Sequence, residues 1–139
     1  MIVLREGVIM MKSPGGSTFP YYYKGGEIHC LKYGNKYKDE QALLQLMQKE
    51  EEFIVQVKRR LKIWVDFDKT SFTPSVCNAF IQNIINLNHH IDKLSVVGLS
   101  GFYRWRLKRG IRKAKLKVII SFYLDPEEAK TWLVSERAM

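Results

Sequence analysis

The sequence predicts an α/β fold: a mixed, mostly parallel sheet with alternating helices and an antiparallel N-terminal hairpin at one edge. Three observations carry this expectation. Short apolar runs rich in Val, Ile, Phe and Trp alternate with stretches of helical period. One helix-length segment separates each run from the next, the spacing of right-handed crossovers between parallel strands. The 139 residues are 46% hydrophobic and 27% charged, enough for one buried core and too few for two.

Residues 1–26 read as an N-terminal strand and turn-rich segment, and 27–139 as a single domain. Within the first part, 2–10 and 21–23 both have strand composition. Ser13, Pro14, Gly15, Gly16, Ser17, Pro20, Gly25 and Gly26 break the chain between and after them. Residues 27–33 alternate weakly and stop at Gly34-Asn35, a turn signal. From Asp39 the period becomes helical, with Leu43, Met47, Ile54, Val57 and Leu61 near one face. Acids at its start and Lys58, Arg59 and Arg60 at its end suit the helix dipole. Glu50, Glu51 and Glu52 are assigned to its solvated face.

A strand over 62–67 follows. Thr73 can cap a helix with Pro74 at its first position, and Val76, Phe80, Ile84, Leu87 and Ile91 form its buried stripe. A strand over 94–99 leads into a basic helix from about 101 to 115. On a wheel, Tyr103, Leu107, Gly110, Ile111 and Ala114 form its core face, while Arg104, Lys108, Arg109, Arg112 and Lys115 point away. Trp105 lies off the core face, where it can stack a base or enter a membrane interface. The last long strand covers 116–123. Asp125, Pro126 and Glu128 then make a helix start, with that helix running to about Val134.

Charge narrows the function classes. The net charge is +9, and the nine cations between Asp92 and Asp125 equal that surplus, with no acid among them. Any electrostatic role therefore belongs to this element. No apolar run reaches the ~18 residues of a membrane span, and the opening lacks the pattern of a signal peptide. Two cysteines are too few for a disulfide framework, so a cytoplasmic setting is expected. His89 and His90 point ~100° apart on a helix, and no Cys or His pair has zinc spacing. Cys77 reads as a small buried hydrophobe. No metal or cofactor is expected.

After the run Ile63-Trp64-Val65 stands Asp66-Phe67-Asp68-Lys69-Thr70. This looks like the first motif of haloacid dehalogenase-like phosphatases. The resemblance would make Asp66 a nucleophile and Asp68 a general acid acting with Mg²⁺. Its place at a strand's carboxyl end suits an α/β site. That family also carries a later acidic pair for the metal, and after residues 118–122 only Asp125 is available, already used as a helix cap.

From residue 27 to 134 the element order and several strings resemble STAS domains (sulfate transporter and anti-sigma factor antagonist), including small bacterial STAS-like proteins grouped with lipid-binding Sec14 domains. The strings are Lys93 to Gly98, the aromatics Phe102 and Trp105, the strand 117–122, and Asp125-Pro126-Glu127-Glu128 leading to Trp132-Leu133. The resemblance implies a mixed sheet and a role in binding partners rather than turnover. In the antagonist branch the helix after the Asp66 strand begins with a phosphorylated serine, and Ser75 falls at that position. Pro74-Ser75-Val76-Cys77 stands where that branch has Asp-Ser-Ser-Gly. A phosphate at Ser75 would meet free N–H groups and the positive end of the helix dipole.

The sequence thus predicts a non-enzymatic regulatory or binding module with no catalytic residue. Its partner surface is expected on the strand-end loops with Asp66, Asp68, Thr70, Ser71, Ser100 and Phe102. The basic patch Arg104, Trp105, Lys108, Arg109, Arg112 and Lys115 adjoins them. A protein partner is expected first. The alternatives are a small phosphatase using Asp66 and Asp68, and polyanion binding, to nucleic acid or an anionic membrane surface, by the basic helix 101–117.

Overall fold

The computed structural model describes residues 2–5, 8–34 and 39–135, with side chains from residue 10 onward. The main sheet has five strands: β4 (Tyr21–Tyr23), β5 (Gly26–Lys32), β6 (Leu61–Asp66), β7 (Ile91–Val97) and β8 (Ile120–Tyr123), in that spatial order. β5 to β8 pair in parallel, and β4 closes one edge antiparallel to β5. Three crossover helices join them: α1 (Glu40–Val57), α2 (Pro74–Asn86) and α3 (Gly101–Lys113). A short 3-10 turn, Asn88–His90, leads into β7.

The strand order matches the chain order, so right-handed crossovers put α1, α2 and α3 on one face. They bury Leu31, Ile63, Val65, Leu94 and Val96 against Met47, Phe80 and Leu107. The alternate residues Ile28, Cys30, Trp64 and Val97 face the other way, against Ala129 and Leu133 of α4 (Pro126–Val134). The main sheet therefore lies between two layers, with α4 the helix on its second face among the described residues.

Both early segments form strands, but in different sheets. β1 (Ile2–Arg5) and β2 (Val8–Lys12) pair antiparallel, and the two-residue β3 (Thr18–Phe19) extends them as a separate sheet. The antiparallel edge of the main sheet is β4 instead.

Caps set the helix starts. The carboxylate of Asp39 accepts from Ala42 N–H, the hydroxyl of Thr73 from Val76 N–H, and the carboxylate of Asp125 from Glu127 N–H. Each such cap contributes about 1 kcal/mol.

Three expectations need correction. Leu61 opens β6 and Ile91 opens β7 rather than closing the stripes of α1 and α2, because Lys58 turns left-handed (φ 63°) and α2 stops at Asn86. β8 is shorter than 116–123. α3 stops at Lys113 in a Schellman motif: Leu116 N–H reaches Ile111 C=O and Lys115 N–H reaches Arg112 C=O. Leu116 is thereby drawn onto the core side of α3, and pairing with β7 begins only where Leu94 N–H meets Ile119 C=O.

The third correction is Glu50, which is completely buried rather than solvated. It sits at i+3 from Met47 and i−4 from Ile54, inside the apolar stripe. Its Oε1 lies 3.1 Å from His29 Nε2, and its Oε2 accepts from the Ser13 hydroxyl and Gly15 N–H, both at 2.8 Å. His29 is equally buried, against Phe19 and Phe53. This node, with the Ser17 hydroxyl donating to Cys30 C=O, fastens the turn over 13–17 to the domain.

Candidate functional site

The carboxyl ends of β5, β6 and β7 lie side by side, and their loops are tied together by backbone bonds. Tyr33 N–H donates to Asp66 C=O, and Phe67 N–H to Val97 C=O. The loop after β6 passes between Gly34 and Gly98 so closely that a Cβ at either would collide with the Asp68 backbone. Gly98 also has φ +92°, which an L side chain rarely adopts. Within the loop, Asp66 Oδ1 accepts from Asp68 N–H at 2.8 Å, an Asx turn. The Thr70 hydroxyl donates to Tyr33 C=O at 2.7 Å. Asp66 and Thr70 are half-buried parts of the turn, whereas Asp68, Ser71 and Ser100 are exposed. Among the described residues no group of three His, Cys, Asp or Glu side chains is placed to share a metal ion.

The loop after β7 ends at Ser100, the cap residue of α3, and the helix lies directly beside the β6 loop. Phe72 meets Tyr103 edge-on, and Arg106 Nη1 donates to Phe72 C=O at 3.2 Å. The sequence-predicted loops and the start of the basic helix thus form one surface.

Its centre is aromatic. Phe102 is 58% exposed and Trp105 51% exposed, and their rings stack with centroids 6.2 Å apart. Arg106 covers Phe102 and Tyr103, with its guanidinium carbon 5.0 and 5.5 Å from the ring centroids. Arg109 covers Trp105 at 5.4 Å. These are i, i+3 and i, i+4 neighbours, for which helix geometry supplies the contact. Leu124, 81% exposed, follows Tyr123, the register partner of Val97, at the carboxyl end of β8. No α3 cation has an ion-pair partner among the described residues, whose pairs are His29–Glu50, Arg59–Glu27 and Lys62–Asp92.

The helix wheel holds for Leu107 and Ile111, which are buried, and for Gly110, which packs against Ile81. It fails at three places. Tyr103 is 37% exposed, its ring meeting Phe72 of the β6 loop rather than the core. Ala114 is exposed at the cap. Arg104 is half-buried, its Nε donating to Leu99 C=O at 3.1 Å and its guanidinium lying over Phe122. Lys108, also over Phe122, Arg109 and Arg112 are exposed. Lys115 lies beyond the helix in the left-handed turn (φ 57°), so the basic helix is shorter than 101–117.

Ser75 is the exposed second residue of α2, after Pro74. The cap Thr73 also donates its hydroxyl to Glu40 Oε1 at 2.7 Å, so a carboxylate already stands at this helix end. Cys77 is buried beneath it. Burial pushes its thiol up, with Arg106 pulling the other way. Sequence reasoning missed Arg106, Tyr103 and Leu124. The i, i+4 spacing of Phe102 with Arg106 was visible. Leu124 had no signal, since its exposure depends on where β8 ends. No protein-family description, curated protein or solved structure matches this chain.

Proposed function

We propose that this chain is a non-enzymatic binding module of STAS-like type whose partner is a protein with an acidic surface. The observation that carries the reading is the half-exposed Phe102–Trp105 stack, covered by Arg106 and Arg109 and without acidic neighbours on its helix. Trp, Tyr and Arg dominate the centres of protein interfaces, where rigid rings give contact area at little entropic cost. The exposed Leu124 and the loop residues Asp68, Ser71 and Ser100 would form the rim. Asp66 serves its own turn through Asp68 N–H, which favours a structural role over nucleophilic attack.

The test is affinity capture from source cells with nuclease-treated extract, comparing the natural chain with Trp105→Ser and Arg109→Glu. An acidic protein retained by the first and lost by both variants supports the reading. Sub-micromolar binding to a defined DNA or RNA at physiological salt overturns it. Ser75, beside this surface, is the proposed phosphoacceptor. Ser75→Asp should change partner affinity and Ser75→Ala should not. Equal affinity for both variants removes the switch.

The ring stack beside guanidinium groups also favours a second reading, single-stranded nucleic acid with a base stacked on Trp105. Its signature would be a steep loss of affinity with salt.

A further inference from the structure

The face of the sheet opposite α3 carries a second feature. A cavity of about 180 Å³ opens between the Gly16–Thr18 stretch, β4, β5, β6 and α4. Lys12, Lys32 and Lys130 line it together with Thr18, Cys30 and Trp64, and no carboxylate does. None of the three ammonium groups has an ion-pair partner among the described residues. Lys130 instead lies 4.7 Å from the Trp64 ring centroid and 5.8 Å from that of Tyr21. Trp64 is 6% exposed, and its indole N–H has no hydrogen-bond partner. That nitrogen is closed to solvent, so the rest of the ring is what lines the cavity. The nearby acid Glu50 is already taken by Ser13, Gly15 and His29.

Three positive charges around a small concave site, with one wall of aromatic rings, concentrate the potential for an anion. Lysine binds phosphate as a point charge. The volume lies below the ~300–1,000 Å³ of pockets for drug-sized ligands, which selects a small oxyanion. We propose that this cavity binds a phosphate dianion, free or as the phosphate group of a small monoester. The ammonium groups of Lys12, Lys32 and Lys130 hold its charge, and the Trp64 ring is the wall from which binding is read. The site is separated from α3 by the sheet, so it stands independently of the binding-module reading.

The test follows the indole N–H signals of the ¹⁵N-labelled full chain during titration with inorganic phosphate at constant ionic strength. Trp64→Phe assigns the signal. The Trp64 signal should shift and saturate as the charge arrives beside its ring, while those of Trp105 and Trp132 stay in place. Lys32→Gln with Lys130→Gln should weaken binding by ~10-fold or more, a 1.4 kcal/mol loss. The exposed Lys32→Gln alone, which leaves the core untouched, should weaken it measurably. Arg109→Glu on the other face should leave it unchanged. A parallel titration with glycerol 3-phosphate separates the sources: tighter binding than inorganic phosphate identifies a monoester, equal or weaker binding the free ion. A Trp64 signal that does not saturate, or that saturates equally in the lysine variants, overturns the proposal.

Discussion

Two helices of this domain carry charge in opposite ways. On α1, Glu50 lies at 0% exposure, with His29, Ser13 and Gly15 satisfying both of its oxygens. On α3, Lys108, Arg109 and Arg112 stand exposed, Lys108 and Arg109 over aromatic rings, and none of them has an ion-pair partner among the described residues. A buried charged or polar group is tolerated only when hydrogen-bonded, and its loss leaves its partners stranded. An exposed cation costs the fold almost nothing and remains available to a partner. The same helical periodicity therefore places one charge for architecture and the other for recognition.

The largest effect should come from breaking the buried node. Glu50→Ala should lower the unfolding free energy by about 3–5 kcal/mol, since His29, Ser13 and Gly15 all lose their partner. Chemical denaturation checks this, and a loss under ~1 kcal/mol would put Glu50 in the same class as the α3 cations. Gly98→Ala tests the strand-end loops. Its positive φ and the collision with Asp68 should together cost about 3 kcal/mol.

A pH measurement sharpens the buried side. Burial raises the Cys30 thiol from 9.0 to about 11, against the opposing pull of Lys130 and Lys32. The folded form holds the proton more tightly than the unfolded chain. The stability from this linkage is therefore present below pH 9 and lost as pH rises through about 11. At pH 8, alkylation of Cys30 should be ~100-fold slower in the native protein than in denaturant, following the thiolate fraction. Equal rates would show the thiol to be open.

On the exposed side, Arg109→Glu with Arg112→Glu should change stability by no more than ~0.5 kcal/mol each while abolishing retention by an acidic partner. A large drop in melting temperature would break the contrast between the helices. The smallest effect is expected at Asp66. Asp66→Asn keeps an oxygen for the Asx turn, so stability should hold. The natural chain should show no Mg²⁺-dependent phosphatase activity for the variant to lose. Turnover abolished by the substitution would restore the phosphatase reading.

Legibility in the sequence followed how local each cause was. Thr73-Pro74 and Asp125-Pro126 marked two helix starts because a cap and a fixed proline φ act within one turn. The α3 surface was legible in outline, since the acid-free run and the offset of Trp105 are properties of one segment. Glu50 was misread although its spacing from Met47 and Ile54 is that of the stripe, because it stands in a run of three acids. Its partners come from residues 13, 15 and 29, and nothing in the local sequence of the helix announces them.

By itself, then, the sequence determined the alternation of strands and helices, the crossover topology and the element that carries the net charge. These depend on periodicity, caps and chain direction, each read over a few residues. Tertiary structure decided which early strand joins which sheet, where α3 ends, and that Arg104 is pinned while Arg109 is free. It also decided that Glu50 meets His29, and that Lys12, Lys32 and Lys130 converge beside Trp64. Those outcomes depend on contacts between residues far apart in the chain. Packing creates such contacts, and local propensity carries no record of them.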